Sequence, residues 1–155
     1  MQMEIIKIEK TSLCVIGQLG STEDGEGFIQ YLWQEANARF PEIAYLVKKD
    51  EQGNPIALYG AMSDFSGSLA PWEDGYSKGL YLAGAEVSED AEAPDGWVKW
   101  TIPAHEYLCV KGSGGELFSR TIAYMKENAL PLIAGVHELY CPQENGQSYL
   151  LFPIG

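Results

Sequence analysis

The stretch Ala134-Gly-Val-His-Glu-Leu-Tyr-Cys-Pro142 sets the reading of the whole chain. It alternates and then stops at a proline, as a β-strand does. Side chains on a strand alternate between faces, so Val136, Glu138 and Tyr140 share one face and His137 and Leu139 take the other. A carboxylate between a valine and a tyrosine either sits in solvent or lines a concave site. Once buried, its charge needs a partner, a ligand cation or a proton.

Outward from this strand the chain reads as two similar halves. In the first, residues 4–9 and 13–16 are strand-like, and residues 27–40 have Phe28, Leu32, Ala36 and Phe40 at helical spacing before Pro41 stops the helix. Residues 56–62 and 79–87 then read as strands, separated by a Gly/Ser-rich loop. In the second half, residues 97–102 and 106–111 read as strands. A helix follows Gly112-Ser-Gly-Gly115, with Ser113 and Glu116 spaced as a capping box and Leu117, Phe118, Ile122, Met125 and Ala129 as its apolar stripe. Asn128 and Pro131 mark its end, and residues 133–140 and 148–154 are the closing strands. Ala57-Leu-Tyr-Gly60 aligns with Glu138-Leu-Tyr-Cys141, which pairs Glu138 with Ala57 across the repeat. The expected fold is therefore α+β: one domain over residues 1–155, pseudo-repeats of about 1–88 and 97–155, an antiparallel sheet with two main helices, and a ligand cleft between the halves.

Composition narrows the functional classes. The 155 residues are 46% hydrophobic and 21% charged, enough for a real core. A net charge of −12 repels a phosphate backbone and attracts cations or a basic partner, so direct nucleic-acid binding is not expected. Cys14, Cys109 and Cys141 are scattered and odd in number, which suits core packing in a reducing cytosol rather than a disulfide framework. The first residues, Met1-Gln-Met-Glu-Ile-Ile-Lys7, lack a leader's apolar run, and no stretch has the length and apolarity of a membrane span. His105 and His137 lack metal-site spacing, so neither metal nor cofactor is expected. Gly112-Ser-Gly-Gly115 reads as a helix entry, not a phosphate cradle.

Four segments, taken in order, resemble the GyrI-like small-molecule-binding domain, the effector-binding domain of AraC- and MerR-type multidrug-responsive activators. They are Tyr59-Gly-Ala-Met-Ser-Asp64, Ile102-Pro-Ala-His-Glu-Tyr-Leu-Cys-Val-Lys-Gly112, His137-Glu-Leu-Tyr-Cys-Pro142 and Leu150-Leu-Phe-Pro-Ile154. His105 departs from the glycine common at its place. The resemblance implies a two-repeat fold with an aromatic cleft, and a glutamate at the place of Glu138 that meets flat cationic ligands. Some stand-alone members hydrolyse cyclopropane-bearing alkylators. No helix–turn–helix segment is read in this chain.

The candidate ligand-binding residues are Glu138, Tyr140, Tyr59, Trp33, Trp72, Tyr76 and Tyr107. Tyr140 shares the face of Glu138 and either donates to it or packs in the core. Tyr59 is its repeat counterpart, and Trp33 stands beside the stripe of the first helix. Trp72 and Tyr76 lie in the Gly/Ser-rich loop as a lid or as its anchor. Trp97 and Trp100 are three apart and face opposite sides. Three functions follow: a binding module for amphipathic cations, a hydrolase of electrophilic small molecules with Glu138 as general acid or base and Tyr140 orienting it, and a module that docks a basic protein through the acidic loop 88–96.

Overall fold

Among the described residues, alternating apolar positions produce eight strands, all paired antiparallel in one sheet. The computed structural model describes residues 4–155; Met1 to Met3, the start of the stretch read for a leader, lie outside the described residues. The elements are β1 Ile5–Lys10, β2 Leu13–Ser21, α1 Phe28–Ala38, β3 Leu58–Ser63, α2 Glu73–Tyr76, β4 Leu80–Val87, β5 Val98–Ile102, β6 His105–Lys111, α3 Gly115–Glu127, β7 His137–Cys141 and β8 Gln147–Pro153. The sheet order is β1-β6-β8-β7-β3-β4-β2-β5. The halves thus contribute β6-β8-β7 and β3-β4-β2, which meet where β7 pairs with β3. This is the α+β architecture expected from the sequence.

The two faces of the sheet are built differently. One is covered by the helices. Leu32 and Ala36 of α1 pack on Ile16, Tyr81, Ala83 and Ala85. Met125 of α3 packs on Leu108, Val110, Val136, Leu150 and Phe152. The other face buries Val15, Tyr59, Ala61, Leu82, Tyr107, Cys109, Leu139 and Leu151 without any helix residue in the cluster. A flat sheet would leave that face wet, so the strands coil over it. A glycine pair lets β2 and β4 approach closely on that side: Gly17 stands opposite Gly84, and a Cβ on Gly84 would overlap the backbone of β2.

Two local expectations are corrected. Ser113 and Glu116 form no capping box, because α3 starts at Gly115 with Gly114 as its N-cap and no side-chain cap bond. The capping box lies instead at Ser21, whose hydroxyl accepts from the Glu23 N–H (3.1 Å) while the Asp24 carboxylate accepts from the Ser21 N–H (2.8 Å). The pairing of Glu138 with Ala57 also fails. Ala57 is buried on the face of Tyr59, whereas Glu138 looks toward the helices. A twofold that exchanges β3 and β7 preserves faces, so these residues cannot be equivalent. The true neighbour of Glu138 is its cross-strand partner, Gly60.

Candidate functional site

The second residue of β7, Glu138, makes the floor of a cleft between α1 and α3. Glu138 is flanked on one side by Gly60 of β3 and on the other by Leu150 of β8. Above it opens a cavity of about 320 Å³. Ile29 comes from α1, Met62 from β3, Trp72 and Tyr76 from α2 and its entry, and Gly114, Gly115, Phe118 and Ser119 from the start of α3. Apart from Ser119 these walls are apolar or aromatic, and Glu138 is the one acid among them.

A hydroxyl from the neighbouring half holds that acid. The fully buried Tyr81 of β4 donates to Glu138 Oε1, and the Trp33 indole N–H donates to the Tyr81 hydroxyl at 2.9 Å. Tyr81 reaches Glu138 by crossing over Gly60. A Cβ on Gly60 would overlap the Tyr81 hydroxyl and lie 2.8 Å from Glu138 Oε1, so this strand position must be glycine. Burial pushes the Glu138 carboxyl above the usual carboxylate range, and the Tyr81 hydrogen bond pulls the other way. Burial, reinforced by the Glu138 charge, pushes the Tyr81 hydroxyl far up, so it remains a donor.

The candidate residues separate into three groups. Glu138, Trp72 and Tyr76 line the cavity. Trp72 is both wall and anchor: its indole N–H donates to the Leu80 carbonyl at 2.8 Å. Tyr76 sits at φ 67° with its ring edge toward Phe118, centroids 6.0 Å apart. Trp33 and Tyr140 form the second group. Their rings meet edge to face at 5.6 Å, and together with Asn37, Leu58, Pro142 and Gly146 they line a neighbouring cavity of about 390 Å³. Burial pushes the Tyr140 hydroxyl up to about 12. The hydroxyl that meets Glu138 belongs to Tyr81, not Tyr140.

Tyr59 and Tyr107 are the third group, and the fold does not bring them to the cleft. Each is 1% exposed on the opposite face. Their rings flank His137 at 6.5 and 6.4 Å. The repeat makes Tyr59 the counterpart of Tyr140, yet odd positions on β3 point away from the helices. Trp97 and Trp100 do divide between the faces, Trp97 in the α1 core and Trp100 against the other.

Sequence reasoning missed Tyr81, Met62, Ile29 and Phe118. One signal was present. Gly60 interrupts an otherwise apolar strand, which marks a close approach of another group. Among the described residues, no group of three His, Cys, Asp or Glu is placed to hold a metal ion. No helix among them is long and apolar enough to cross a membrane.

No protein-family model matches the chain, and no curated protein matches it in sequence. Solved structures match it in shape. The EcmrR C-terminal domain superposes with a TM-score of 0.68 at 12% identity, over 100% of this chain and 99% of that one. SAV2435 bound to tetraphenylphosphonium gives 0.66 at 16% identity, over 100% and 94%. EcmrR in its DNA complex gives 0.66 at 12% identity, and the present chain, matched over 97% of its length, spans 57% of that one. At such identities the likeness carries the fold. The sequence motifs, the sheet order and these superpositions agree that the chain has the GyrI-like fold of the EcmrR C-terminal domain.

Proposed function

We propose that this chain binds small amphipathic cations with aromatic bodies, using the cleft over Glu138. The observation that carries the reading is a single carboxylate at the floor of an aromatic and apolar cavity, with one hydroxyl partner and room above it. A bound cation relieves the cost of keeping that carboxylate charged away from water. The rings of Trp72, Tyr76 and Phe118 add cation–π and stacking contacts, each on the order of 0.5–2 kcal/mol. The net charge of −12 draws cations toward the mouth. The tetraphenylphosphonium on SAV2435 supplies a first probe.

Calorimetric titration of tetraphenylphosphonium and a panel of cationic dyes against wild type and Glu138→Gln tests this. The variant keeps shape and removes charge, and its Kd is expected to rise at least about tenfold, ~1.4 kcal/mol. Equal affinities would sink the reading.

The raised protonation range of Glu138 beside an open cavity favours a second reading, hydration of electrophilic strained rings. Glu138 would take a proton from water as the water oxygen bonds to a ring carbon. The electron pair of the broken carbon–carbon bond would then take that proton back. Ring opening of a cyclopropane-bearing alkylator is the assay, and a rate no faster than buffer, or unchanged in Glu138→Gln, rejects it.

A further inference from the structure

The two cavities on the helix-covered face lie side by side along the β3–β7 seam. The Met62 and Glu138 end opens into the first, and the paired residues Leu58 and Tyr140 floor the second. Between them, at the Gly60–Glu138 pair, the Tyr81 hydroxyl crosses the seam with the Trp33 indole hydrogen-bonded to it. Trp33 lines the second cavity, and Glu138 lines the first. Two side chains, Tyr81 and Trp33, thus link Glu138 in the first cavity to Tyr140 in the second. Tyr81 is fully buried and fixed by its bond to Glu138, whereas Trp33 is only partly buried: its inner side packs on the core under α1, and one hydrogen bond and one ring edge set its orientation.

Building on the cation-binding reading, we propose that Trp33 is a movable partition and that the second cavity is a subsite for the distal aromatic ring of an elongated cation whose charge sits at Glu138. Glu138 and Tyr140 are two residues apart on one strand, ~7 Å, which sets the spacing between charge and distal ring. Tyr140 and the Trp33 ring supply aromatic surfaces for that ring, and Leu58 and Pro142 supply apolar ones. Cavities of about 320 and 390 Å³ each suit a fragment, and joined they suit a drug-sized molecule. Compact cations occupy the first cavity alone and leave the Trp33–Tyr81 bond intact.

The test uses two probes that differ by one ring: benzyltrimethylammonium and (biphenyl-4-ylmethyl)trimethylammonium. Asn37 is exposed on α1 at the second cavity, one turn beyond Trp33, so Asn37→Trp fills that cavity from the solvent side. Wild type is expected to bind the biphenyl probe at least about tenfold tighter than the benzyl probe. Asn37→Trp should erase that advantage and leave benzyl affinity unchanged, which also reports that the variant is folded. If Asn37→Trp disturbs benzyl binding, Asn37→Phe decides on the same criterion. A biphenyl advantage that survives the plug, or that wild type never shows, overturns the second subsite while leaving the Glu138 reading intact. Failure of wild type to bind either probe overturns both.

Discussion

Residues 137 and 138 are neighbours in the chain, both titratable and both largely removed from water, yet the fold treats them in opposite ways. Glu138 faces the helices, has a hydroxyl partner and looks into open space. His137 faces the coiled side of the sheet, is 2% exposed, and its Nδ1 has no hydrogen-bond partner. Burial pushes the carboxyl up and the imidazole down, to about 3, with His105 adding to the latter. Each is thereby driven toward its neutral form. The difference is access: a neutral acid beside a cavity can recover its charge by binding a cation, whereas a neutral imidazole in a closed core has only the packing around it. One face keeps an open cavity over its acid, and the other is closed around its imidazole.

The sharpest way to separate the faces is to empty the closed one. Tyr59→Ala removes a fully enclosed ring and should cost ~3–5 kcal/mol in urea unfolding. Its folded fraction should still bind tetraphenylphosphonium as wild type does, and a matching loss of affinity would show that the faces are not independent. Next in size is the acid response. The folded pKa of His137 lies below its unfolded value near 6.5, so the unfolded chain binds the extra proton. The neutral-imidazole contribution is complete above that unfolded value and is lost as pH falls toward about 3. Between pH 7 and 4.5 the loss should reach ~2–3 kcal/mol, and His137→Leu should flatten it. Parallel stability curves for the two proteins would refute this. Glu138 has the opposite sign: its folded value is raised, so its cost grows as pH climbs through that range and persists above it.

Two smaller changes probe the open face. Gly60→Ala drives a methyl into the Tyr81 hydroxyl and should destabilise by ~1–3 kcal/mol while weakening cation binding, because Tyr81 must leave Glu138. Unaltered melting and binding would mean the crossing over Gly60 is loosely held. Tyr81→Phe keeps the ring and removes the bridge, and should cost about 1 kcal/mol. Glu138 then loses the donor that opposes burial, so cation affinity should rise more steeply with pH than in wild type.

What the sequence made legible follows from how local each feature is. The alternation of Val136, Glu138 and Tyr140 needs only the strand period, and it holds in the structure, with His137 and Leu139 on the other side. Helix α1 and its Leu32–Ala36 stripe are equally local. Tyr81 could not be assigned to Glu138, because their contact depends on β4, β3 and β7 lying side by side, a non-local pairing. The repeat misled for a related reason. The shared Leu-Tyr in Leu58-Tyr59 and Leu139-Tyr140 suggested equivalence, but these strings sit one residue out of phase with the sheet. A one-residue shift inverts every side chain. That slip carried Tyr59 into the candidate site and made Ala57 stand in for Gly60.

The segment between β3 and β4 has one further consequence. Asp64 accepts hydrogen bonds from the Ser63, Ser66 and Ser68 hydroxyls, and Glu73 accepts from the Phe65 N–H. Leu69, Asp74, Gly75 and Tyr76 are held at positive φ within it. This segment carries Trp72 and Tyr76, two walls of the cleft. The walls are therefore set in place as the chain folds, and an arriving molecule need not order them. Association through the first cavity should show the fast, weakly temperature-dependent kinetics of a rigid receptor, with selectivity set by shape more than by adaptation.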